Sequence, residues 1–96
     1  MKIKAVTVEA LDDYKIFVSF NDGVKGTYDL SDLAGKGVFK IWDKDNNFQK
    51  VFINAENGAI TWPGEIDIDT LNAYLSIRKI KPEDFFKSSM KHAQNI

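Results

Sequence analysis

The stretch YKIFVSFNDGVKGTYD, residues 14–29, decides the fold. Tyr14, Ile16, Val18 and Phe20 alternate with Lys15 and Ser19, the period of a half-buried strand, and Phe17 is the apolar exception on the polar face. Asn21-Asp22-Gly23 follows. A three-residue hairpin loop takes a type I turn and then a left-handed residue, where glycine carries no Cβ penalty, and Gly23 stands at that position. Val24, Gly26 and Tyr28 then share one face of a returning strand. Upstream, residues 3–10 are rich in β-branched side chains, with Val6 and Val8 opposite Ile3, Ala5 and Thr7, and Leu11-Asp12-Asp13 is the expected connecting turn. Residues 3–29 therefore predict a three-stranded antiparallel meander.

After Asp29 the period changes. Ser31 is placed to cap a short helical turn through Leu33, Gly35 and Gly37 break the chain, and Val38, Phe39, Ile41 and Trp42 recur at helical spacing near 37–43. Asp43 to Asn47 reads as a turn before the apolar run Phe48, Val51, Phe52 and Ile53. Asn57-Gly58 then predicts a second hairpin through a type I′ turn, with Ala59 to Trp62 as its returning arm and Pro63 as its stop. Glu65, Asp67 and Asp69 are expected in a helix-entry turn, with Asp69 capping a helix from Thr70-Leu71 whose face carries Leu71, Tyr74, Leu75 and Arg78. A last short helix is expected from Pro82, with Glu83 and Asp84 in its first turn and Lys87 and Lys91 near its end. The expected class is α+β: an antiparallel β-meander plus a second β-hairpin, with two to three short helices. The expected division is one domain over residues 1–80 and a helical tail over 81–96.

Composition excludes several chemistries. The 96 residues are 44% hydrophobic, enough for one core, and contain no cysteine, so disulfides, thiolate metal sites and thiol nucleophiles are out. The opening MKIKAVTVEA is broken by Lys4 and Glu9 and does not read as a signal peptide, and no apolar run approaches a membrane span. A cytoplasmic protein is expected. Net charge is −1, but Glu56, Glu65, Asp67 and Asp69 lie in a stretch without Lys or Arg, and Arg78, Lys79, Lys81, Lys87 and Lys91 follow it.

Asp43-Lys-Asp45-Asn-Asn47 opens like a calcium loop, yet Phe48 and Asn54 occupy the positions that need glycine and a bidentate glutamate. Gly35-Lys36-Gly37 lacks the hydroxyl residue and the earlier glycine of a phosphate loop. Glu65, Asp67 and Asp69, if extended, would point their carboxylates one way and offer oxygen ligands to a hard cation. The only histidine, His92, is close to the last residue, where no general base is held in place. The aromatic residues are expected in the core rather than on a base-stacking platform, because the sheet interleaves few basic residues with them. No enzymatic activity and no cofactor are expected.

Phe20-Asn-Asp-Gly23, Val38-Phe39, Phe48-Gln-Lys-Val51, Gly58-Ala-Ile-Thr-Trp62-Pro63 and Asp67-Ile-Asp69 leading to Leu71 together resemble the bacterial domain-of-unknown-function family 2442. The resemblance covers about residues 2–76. It implies a small α+β domain with no established activity, cofactor or catalytic residue. It also implies a toxin–antitoxin-like gene arrangement beside another small uncharacterised family, numbered 4160. Some members carry a helix-turn-helix domain after the shared region, and none is expected here. This chain has Gly64-Glu65-Ile66 where the family usually has Asn-Gly before the aspartate, so a different local turn is expected.

Most shared residues have a structural duty in turns or core, and Trp62 is expected to be mainly core. Asp67, and part of Trp62, are the first places to look for a binding surface. Phe85 and Phe86 in the tail are a second, either docking on a second copy or partner or capping the chain's own core. The expected function is a protein-interaction module, the antitoxin-like half of a two-gene pair, with the adjacent gene's product as partner. The alternative is weak nucleic-acid binding through Arg78, Lys79, Lys81, Lys87 and Lys91.

Overall fold

A computed structural model of the chain describes residues 2–79. Strands β1 (Ala5–Ala10), β2 (Lys15–Phe20) and β3 (Lys25–Asp29) form one antiparallel sheet in the order β1-β2-β3. Strands β4 (Phe52–Ile53), β5 (Ile60–Trp62) and β6 (Ile66–Ile68) form a second, in the order β4-β5-β6. Two 3-10 helices, Gly37–Asp43 and Asn47–Lys50, lie between the sheets in sequence, and helix α1 (Thr70–Ile77) follows β6. β1 packs beside β4, and α1 packs on β3. The α+β class and the meander are as the sequence predicts. The second unit has one strand more than the expected hairpin.

The meander follows its alternation. Ile16, Val18 and Phe20 are buried, while Lys15, Phe17 and Ser19 on the other face are half-buried. In the 21–23 loop the Phe20 N–H donates to the Val24 carbonyl at 2.8 Å, and Gly23 has a φ of 91°. Asn21 fixes the beginning of the chain beside this loop. Its Nδ2 donates to the Lys2 carbonyl at 2.8 Å, and its Oδ1 accepts from the Lys4 N–H at 3.1 Å.

β1 departs from simple alternation. Ala5 pairs with Phe20 and Thr7 with Ser19, so Val6 is an extra residue in the ladder. Such a bulge resets which residues face inward. Ala5 is buried and Val8 and Ala10 pack on the core, whereas Val6 is 58% exposed.

Three further local expectations are corrected. Ser31 caps nothing; instead the Asp29 carboxylate accepts from the Ser31 N–H at 2.9 Å, and residues 31–35 form turns. The loop at Asn57-Gly58 is not a two-residue type I′ turn. It spans residues 55–58, closed by Asn54 N–H to the Ala59 carbonyl at 2.9 Å, with positive φ at Gly58 (74°) but not at Asn57. The Asn54 and Asn57 side chains accept from the Glu56 and Ala59 N–H groups, which supports the wider loop. Residues 66–68 are strand, not a helix-entry turn. Pro63-Gly64-Glu65 turns the chain back, and Ile66 and Ile68 pair with Trp62 and Ile60. Asp69 does cap α1, its carboxylate accepting from the Leu71 N–H at 3.1 Å.

The core is centred on aromatic rings from the connecting segments. Trp42 is 2% exposed and lies 4.9 Å from Trp62, 5.0 Å from Phe48 and 4.8 Å from Phe39, ring centroid to centroid. Tyr14 closes the cluster at 5.4 Å from Phe48, and its hydroxyl donates to the Asp43 carboxylate. Trp62 is wholly buried, and its Nε1 donates to the Phe48 carbonyl at 3.0 Å. Trp42 Nε1, equally buried, has no hydrogen-bond partner among the described residues. At the other end of the core Phe20 meets Tyr74 edge-on at 5.0 Å, and α1 approaches β3 so closely that a Cβ on Gly26 would stand 2.7 Å from Ile77 Cγ2.

Two predictions follow from these contacts. Trp62→Phe removes a satisfied donor and strands the Phe48 carbonyl, whereas Trp42→Phe removes a donor that had no protein acceptor. The first should therefore cost about 1 kcal/mol more than the second in denaturant unfolding; equal costs would contradict the assignment of the Trp62 bond.

The second concerns Tyr74, whose hydroxyl donates to Asp22. That hydrogen bond, with help from the Val24 N–H and the Arg78 charge, holds the Asp22 carboxyl below its ordinary range. A depressed folded pKa gives stability that is complete above the unfolded value of about 3.9 and is lost as pH falls through the folded one. The same bond raises the Tyr74 hydroxyl, so the contribution is also lost as pH climbs above about 10. The melting-temperature gap between the parent and Tyr74→Phe should be open near neutral pH and close progressively in acid, as pH falls below the ordinary carboxylate range and through the depressed Asp22 value.

Candidate functional site

The second sheet sorts its side chains by row. Ile53 pairs with Ile60 and Ile60 with Ile68, and Trp62 pairs with Ile66; these residues pack on or within the core. The intervening row, Phe52 to Thr61 to Asp67, belongs to the opposite face. Phe52 is 44% exposed, Thr61 is buried beneath its neighbours, and Asp67 is exposed. Two shallow clefts flank this row. One, about 280 Å³, lies over the sheet between Phe52, Thr61 and Asp67. The other, about 420 Å³, lies between the 3-10 helix (Val38, Phe39, Ile41) and β6 (Ile66, Asp67). Asp67, Gly64 and Glu65 border both.

Gly64 is required where it stands. Its φ is 98°, and a Cβ there would meet Ile41 Cδ1 at 2.8 Å. The close approach seats the 3-10 helix against the turn and so forms one wall of the larger cleft. Glu65, also left-handed at φ 62°, projects from the same turn. Among the described residues Asp22, Asp29, Asp43 and Asp69 each accept a hydrogen bond through the carboxylate, whereas Asp67, like Asp12, Asp13, Asp32 and Asp45, does not. No group of three or more carboxylates or histidines converges as a metal site among the described residues.

The residues singled out from sequence fare differently. Asp67 lies on the surface at the meeting of the two clefts. Trp62 is core, as mainly expected, and lies wholly within the aromatic cluster; only the part of it assigned to a binding surface is corrected, because the strand that carries it puts Thr61, not Trp62, on the outer face. Arg78 and Lys79 are exposed, and Arg78 is engaged within the chain, its guanidinium 5.5 Å from the centre of the Tyr74 ring and its Nη1 3.2 Å from the Tyr74 hydroxyl. Lys81, Phe85, Phe86, Lys87 and Lys91 lie outside the described residues, as does the helix expected from Pro82. Among the described residues no helix is long and apolar enough to cross a membrane.

Sequence reasoning missed Val38 and Phe52. Both belong to apolar runs, and the aromatic residues are expected in the core, yet Val38 is 68% and Phe52 44% exposed. Pairing parity was the available signal for Phe52: strand partners of an inward Ile53 must have neighbours that face out.

Neither the curated proteins nor the solved structures contain a match to this chain. A family model described as a protein of unknown function, DUF2442, matches residues 5–79, the span that holds both sheets and α1. On that match the chain belongs to the DUF2442 family.

Proposed function

We propose that this protein is an interaction module of the bacterial cytoplasm, the antitoxin-like half of a two-gene pair, which meets its partner through the outer face of the second sheet. The observation that supports this reading is the position of Asp67. It is exposed, and it is the described aspartate that borders both clefts, with the exposed Val38 on one and the exposed Phe52 on the other. Apolar side chains grouped around an uncommitted charge are the composition of a recognition surface. The reading involves no catalysis and no cofactor. Nucleic-acid binding is the weaker reading, because Arg78 is already drawn onto Tyr74.

The test is co-purification and titration with the product of the adjacent gene. A complex should form at micromolar concentration or below, and Asp67→Asn should weaken it at least tenfold. An exposed substitution of this kind alters stability by no more than about 0.5 kcal/mol, so the melting temperature should hold. Absence of a complex at micromolar concentration contradicts the reading.

A further inference from the structure

The geometry points to β-strand addition at β6: an extended segment of a protein partner lies along the outer edge of this strand as a fourth strand of the second sheet, with a Lys or Arg opposite Asp67. This rests on the interaction-module reading and specifies its partner by chemistry. β6 pairs with β5, and its other edge takes no strand among the described residues. The unpaired N–H and C=O groups of an edge strand are a template for another chain. The cleft between β6 and the 3-10 helix runs beside this edge, and its apolar wall of Val38, Phe39 and Ile41 offers packing to the side chains of an added strand.

Charge decides which strand fits. On the outer face the cross-strand row reads Phe52, Thr61, Asp67, and a fourth strand extends it by one residue. That residue has its Cβ about 5 Å from the Cβ of Asp67, where opposite charges attract and like charges repel. Asp67 is the middle residue of β6. If two copies paired antiparallel about that residue, Asp67 would stand against Asp67, and Glu65 adds further negative charge at the adjoining turn. The edge is thus set against its own copies and in favour of a basic strand.

The probe is a capped ten-residue peptide of alternating valine and lysine, titrated into the full chain and followed by amide hydrogen exchange. An alternating valine–glutamate peptide serves as control. The lysine peptide should slow exchange at the Asp67 amide, the β6 N–H that the alternation of the ladder turns away from β5, and bind the parent at least tenfold tighter than Asp67→Lys, and that preference should shrink with added salt. The glutamate peptide should not bind the parent. Four results would overturn the inference: equal binding to parent and Asp67→Lys; protection that falls elsewhere; an Asp67 amide already protected in the free monomer, which means that the chain itself fills the edge; or Asp67 amide protection that rises with protein concentration alone, which means that a second copy does. Its failure is separable from that of the broader reading. If the adjacent gene's product binds but leaves the Asp67 amide unprotected, strand addition is wrong and the interaction module stands.

Discussion

Trp42 meets four aromatic rings, and those contacts, together with β1 packed beside β4, join the two sheets. Tyr14 comes from the turn between β1 and β2, Phe39 from Trp42's own 3-10 helix, Phe48 from the next one and Trp62 from β5. Aromatic pairs at such separations contribute about 0.5–1.5 kcal/mol each beyond the area they bury. The second sheet needs this support. Its strands are two or three residues long, and so small a sheet does not persist in water without a hydrophobic face to pack on. The short connectors therefore act as the middle of the core rather than as links around it.

The same cluster determines what the surface presents. Side chains alternate along a strand, so once Trp62 is drawn inward, Thr61 must face the other way, and Asp67, its partner across the ladder, faces outward with it. Gly64 lets the Ile41 side chain come against the turn, which places Val38 and Phe39 beside Asp67. The exposed carboxylate with apolar neighbours is in this sense a consequence of burying two indoles. A slip of one residue in β5–β6 pairing would exchange the two faces, which ties the surface to the integrity of the core.

Much of this was legible where the chain speaks in a single period. Ile16, Val18 and Phe20 turn inward as their alternation says, Gly23 stands at the one loop position that demands it, and Asp69 is a cap by type and place, whereas Tyr14, which the same alternation puts in the strand, lies in the turn before it with a left-handed φ of 59°. Legibility failed where tertiary context overrode the local signal. Val6 belongs to a β-branched run, and nothing in that run announces a bulge. Ile66-Asp67-Ile68 is too short to show a period, and a neighbouring cap residue drew the whole segment into the helix entry. Asn57-Gly58 carries the preferred tight-turn pair, but Asn54 offers a competing set of hydrogen bonds that widens the loop. Asp67 was found because it lacked a structural duty, and Val38 and Phe52 were missed because an apolar residue in an apolar run reads as core.

The claim that one aromatic cluster joins both sheets is open to a direct measurement, because Trp42 and Trp62 are the protein's two tryptophans and both lie in it. Tryptophan emission therefore reports the cluster, while the amide signals of Ile16 and Val18 report the meander. In a urea titration the two probes should trace one transition with one midpoint, as expected of a cooperative unit. Tryptophan emission that shifts to its unfolded value while Ile16 and Val18 remain native would contradict the account, since the meander would then stand without the cluster.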